Sequence, residues 1–111
     1  MPDRATMQHY RRVLNLAQTI VDTGYMTPTV HSADRDWLRD ITPEDAETVI
    51  TGQDARVISD NPSHPEGPTY CIAGRRANGE MIHVVVAFTD DDIEKATGLR
   101  LVSVMFPERG R

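Results

Sequence analysis

Apolar residues in the first part of the chain recur three and four apart: Met7, Tyr10, Leu14, Ala17 and Val21, with Val13 and Ile20 beside them. That spacing predicts a helix over residues 4–23 with one buried stripe, closed by Gly24. Thr27-Pro28-Thr29 interrupts the pattern. Val30, Ala33, Trp37, Leu38 and Ile41 then predict a second helix over about 30–40. A third begins with Thr42 as N-cap, Pro43 in the first helical position, and Glu44 and Asp45 at the positive end of the dipole; Gly52 follows its last turn. From Ala55 the period falls from 3.6 to 2, and residues 56–59, 69–76, 81–89 and 99–106 read as strands. Pro62, Pro65 and Pro68 make the first connection irregular, and residues 90–98 form an acidic excursion with room for a helical turn. Helices followed by strands argue an α+β fold: N-terminal helices packed on a C-terminal antiparallel sheet of about four strands. The whole chain, 1–111, reads as one domain, with residues 1–26 an additional helix.

Asn78-Gly79 between two alternating runs predicts a hairpin with a two-residue turn. Arg76 then faces Met81, Gly74 faces His83, Ile72 faces Val85 and Tyr70 faces Ala87. In that register Cys71, Ala73, Ile82, Val84, Val86 and Phe88 form the face covered by helices. Tyr70, Ile72, Arg76, Met81, His83 and Val85 form the other, with Arg75 turned away from them. A one-residue bulge would exchange the two sets.

At 111 residues the chain suits one core, and 39% hydrophobic with 26% charged residues is the composition of a globular domain. Its formal charge is -5, against the excess base that supplies most non-specific nucleic-acid affinity. The acidity is local: residues 34–60 carry 8 acids and 3 Arg. One cysteine, Cys71, rules out an internal disulfide and a thiolate zinc cluster and fits a reducing cytoplasm. No apolar run has the length of a membrane span.

Three groups of residues bear on chemistry. His31, Arg35 and Arg39 repeat every four positions on the second predicted helix. Like charges at that spacing repel, so the row reads either as an anion site, with two guanidiniums for phosphate oxygens, or as a solvated face whose arginines pair elsewhere. His83 lies in the apolar run 81–86, as a packing residue or as a base. With Tyr70 and Arg76 on its predicted face it would complete the set for metal-free phosphodiester cleavage: a base for the 2′-hydroxyl, an acid for the leaving oxygen and a cation for the phosphorane charge. Asp90-Asp91-Asp92 lacks the alternation of a calcium loop, His9 and His64 show no metal-ligand spacing, and no cofactor motif is present.

Residues 30–106 resemble the bacterial family catalogued as domain of unknown function 4258, near the RelE/ParE toxin superfamily. The resemblance lies in the helix from His31 through Arg35 and Arg39 to Ile41, the Thr42-Pro43-Glu44-Asp45 start, the Gly74-Arg75 pair and the Ile82-His83-Val84-Val85-Val86-Ala87 strand. It implies a RelE/ParE-like α+β core and favours His31, Arg35, Arg39, Arg75 and His83 as site residues. Two readings follow. One is a toxin-like ribonuclease of a toxin–antitoxin system, with His83, His31 and Tyr70 as catalytic candidates and Arg35, Arg39, Arg75 and Arg76 on the substrate. The other is a non-catalytic protein-interaction module that keeps the fold. The partners expected are an antitoxin or other protein, RNA in a ribosome-associated setting, and a second copy through the N-terminal helix; neither a metal nor a membrane is expected.

Overall fold

Helix α1 (Arg4–Asp22) starts at Asp3, whose side chain accepts the Thr6 N–H at 2.8 Å, and ends at Thr23 with Gly24 in the left-handed region (φ 84°). A computed structural model of the chain describes residues 3–24, 26–28, 42–65 and 67–106. Helix α2 (Pro43–Thr51) opens on a reciprocal capping box between Thr42 and Asp45. The strands are β1 (Met26–Pro28), β2 (Arg56–Asn61), β3 (Thr69–Arg75), β4 (Met81–Phe88) and β5 (Leu99–Met105), with one 3-10 turn at Ile93–Lys95 in the acidic excursion. The second predicted helix lies outside the described residues.

The sheet has five strands rather than four and is mixed rather than purely antiparallel, in the order β1-β5-β4-β3-β2. The added strand is β1, paired in parallel with β5 through Met26 and Leu99, in the segment where Thr27-Pro28 interrupts the helical pattern. Pro28 cannot donate to a ladder, but an edge strand needs hydrogen bonds on one side alone.

The β3–β4 hairpin corrects the predicted register by one residue: Arg75 pairs with Met81, Ala73 with His83, Cys71 with Val85 and Tyr70 with Val86. The turn is the cause. Gly79 N–H bonds to the Arg76 carbonyl at 2.8 Å and Arg76 N–H to the Glu80 carbonyl at 3.0 Å, and within the turn only Gly79 takes a positive φ (88°). Ala77-Asn78-Gly79 is thus a three-residue loop ending in a glycine bulge, not a two-residue turn with Asn78 left-handed. The face assignments in β4 stand and those in β3 are exchanged.

One face of the sheet, which we call the near face, packs on α1 and α2. Its core holds Ile72, Ile82, Val84, Val86, Leu99 and Leu101 from the strands, with Val13, Ala17 and Ile20 from α1 and Ala46, Val49 and Ile50 from α2. Gln18 adds a side-chain hydrogen bond to the Ile50 carbonyl at 3.1 Å, joining the two helices. At Gly74 α2 comes close to the sheet: a Cβ there would lie 3.0 Å from both Val49 Cγ1 and the Val49 carbonyl oxygen. Gly74→Ala is expected to cost about 1–3 kcal/mol by overpacking. Urea unfolding checks it, and an unchanged midpoint would show that α2 can back away freely.

Candidate active site on the far face

Because side chains alternate along strands, the register fixes what the far face, turned away from α1 and α2, presents. Arg56, Ala73, His83 and Met105 form one row across four strands. The next row is Ser59, Cys71, Val85 and Ser103, and beyond it come Asn61, Thr69, Ala87 and Arg100. On the turn side, Arg75 and Met81 make a further row. Two bulges set this pattern. Ile58 interrupts the pairing of β2 with β3, and Val102 that of β5 with β4, which keeps Leu101 and Val104 in the core while sending Ser103 and Met105 to the far face.

His83 is half-buried in this face, and its pKa is lowered, first by burial and then by the positive charge of Arg56. The two residues are separated by one strand, roughly 10 Å between Cα atoms. A long guanidinium and an imidazole can close that gap around one phosphate. Arg75 stands exposed on the same face, one row away, where it contacts Asp54 at 3.4 Å and donates to the Gly79 carbonyl at 2.9 Å. The corrected register therefore unites Arg75 with His83, which the predicted register kept apart, and adds Arg56. A base whose folded pKa is depressed contributes stability that is present above its unfolded value near 6.5 and lost as pH falls through the folded value. His83 is accordingly expected to titrate below its ordinary value in an NMR titration, and Arg56→Ala to move it upward; an unmoved resonance would place the arginine's charge elsewhere.

Two other predicted site residues go elsewhere. Tyr70 is on the near face, 7% exposed, packed edge-on against Phe88 with ring centroids 5.9 Å apart. Its hydroxyl lies 3.3 Å from His9 Nε2 on α1, and burial followed by the charge of Asp60 pushes its pKa up. It faces away from His83 and cannot serve as its partner acid. Beside it, the Tyr10 hydroxyl donates to Asp60 Oδ1 at 2.7 Å, and that bond is the main reason its pKa is pushed up to about 12. Arg76 is a fastening between hairpin and helix. Its guanidinium bonds Glu80, reaches Asp45 of the α2 capping box at 3.3 Å, and sits 5.7 Å over the Phe106 ring. His31, Arg35 and Arg39 lie outside the described residues.

Among the described residues, no three His, Cys, Asp or Glu side chains are grouped to hold a metal ion, and no helix is long and apolar enough to cross a membrane. A sequence model of the family described as Domain of unknown function (DUF4258) matches residues 29–106, more than half of the chain. The chain belongs to the DUF4258 family. The match takes in α2 and β2 to β5, and so every far-face residue named above, while α1 precedes it. No curated protein and no solved structure matches the chain.

What sequence reasoning missed in this DUF4258 domain is Arg56. Nothing in the spacing of residues 56 and 83 points to a shared site; the signal exists only once β2 and β4 are both registered against β3.

Proposed function

We propose that this DUF4258 domain is a toxin-like endoribonuclease with a RelE/ParE-like core, acting in the cytoplasm on RNA without a bound metal. The observation that carries the reading is the placement of His83 in one row with Arg56 and one row from Arg75. A half-buried imidazole kept neutral near pH 7 can take the proton of a 2′-hydroxyl, and flanking guanidiniums hold the phosphate and the charge that grows on its oxygens. The 2′-oxygen attacks phosphorus as its proton passes to His83, the P–O5′ bond breaks, the leaving 5′-oxygen takes a proton from solvent, and the products are a 2′,3′-cyclic phosphate and a 5′-hydroxyl.

The formal charge of -5 weighs against capture of RNA by bulk electrostatics. The far face differs from that average, with Arg56 and Arg75 exposed near His83 and Arg100 exposed two rows away. Such a face suits a substrate delivered by a ribosome or another partner, with an antitoxin as the natural restraint. Expression of the chain in a bacterial host is expected to arrest growth and fragment RNA. Normal growth with intact RNA would remove the toxin reading and leave the non-catalytic interaction module, which has exposed Ile58 on edge strand β2 and exposed Met7 on α1 in its favour.

A further inference from the structure

Next to the His83 row, the far face carries a groove of about 330 Å³, near the lower end of the size range of small-molecule sites. Val85 and Val102 line it, with the Cys71 side chain, and Ser59, Ser103 and Asn61 supply polar groups. The Val102 bulge creates part of this lining by sending Ser103 to the far face opposite Val85. Asn61 is oriented by its own turn, its Oδ1 accepting the Ser63 N–H at 3.1 Å, so its NH2 is the end left to donate.

We propose that this groove is the base-recognition subsite of the enzyme: one nucleobase of the RNA lies against Val85 and Met105 with its polar edge toward Asn61 and Ser103. The adjoining phosphate then reaches His83 and Arg56. The placement of the phosphate rests on the ribonuclease reading, whereas the chemistry of the groove stands apart from it. Val85 and Ser103 are one row from His83 and Met105, roughly 7 Å along the strands. That is a separation a single nucleotide bridges between its phosphate and its base.

The lining selects for an uncharged heterocycle. Among the described residues no Lys or Arg lines the groove, which disfavours a second phosphate. Burial pushes the Cys71 thiol up, partly offset by a hydrogen bond with Ser59, so it stays protonated and neutral at pH 7. Apolar walls with hydroxyl and amide groups at the edge are what a flat base with donors and acceptors needs.

Cys71 is the sole cysteine of the chain, and its alkylation rate therefore reports occupancy of the groove in the intact protein. Nucleosides and nucleoside 3′-monophosphates are expected to slow alkylation roughly tenfold at about ten times their dissociation constant, while inorganic phosphate alone leaves the rate unchanged. No slowing by any nucleoside or nucleotide, or equal slowing by phosphate, would overturn the proposal. Protection with RNA left intact would uphold base binding and remove the ribonuclease; RNA cleavage without protection would uphold the enzyme and remove the subsite.

Discussion

His83→Ala is expected to lower RNA cleavage by about 100- to 10,000-fold, the range seen when a positioned general base is lost, while Tyr70→Phe leaves the rate at its wild-type level. The contrast follows from the hairpin register. His83 lies with Arg56 and Arg75 on the far face, and Tyr70 lies under α1, its hydroxyl next to His9. Both variants should fold: His83 is half-buried, and Phe keeps the ring that packs on Phe88. Matched cleavage time courses on one RNA decide it. A large loss in Tyr70→Phe with none in His83→Ala would put the chemistry on the near face, under α1.

Removing α1, by starting the chain at residue 25, is expected to abolish cooperative folding. The sequence alone suggests the opposite, a helix added to a core that begins near residue 30. In the structure Val13 and Ala17 are fully buried, and Ile20 and Val21 nearly so, in the core formed with Ile50, Val57 and Tyr70. Each larger apolar side chain contributes about 1.5–3 kcal/mol by burial. Losing three of them and baring their partners approaches the whole 5–15 kcal/mol that holds a typical domain together. The bond from Gln18 to Ile50 goes as well. Thermal unfolding followed by circular dichroism is the check, and a sharp transition in the truncated chain would show that α1 is dispensable.

How far the sequence could be read depended on whether the deciding interactions were local. Thr42 as N-cap ahead of Pro43, the stripe of α1 and the switch to alternation after Ala55 are local signals, and each element forms where they place it. Asn78-Gly79 is also local but serves two kinds of turn: the two-residue form puts Tyr70 with His83, and the three-residue form exchanges the faces of β3 and puts Arg75 there instead. Strand β1 leaves no local signal, because three residues including a proline carry too little periodicity and its ladder with β5 depends on residues more than 70 positions on. Arg56 and the groove have no local signal for the same reason: the pairing of β2 with β3 puts Arg56 in the His83 row, and the groove needs β4 and β5 as well.

The most direct measurement is the end-group chemistry of RNA exposed to the purified chain, with ribosomes present and absent. Attack by the 2′-hydroxyl, with His83 taking its proton, predicts fragments ending in a 2′,3′-cyclic phosphate opposite a 5′-hydroxyl. Intact RNA under both conditions, or fragments bearing a 3′-hydroxyl and a 5′-phosphate, would contradict it.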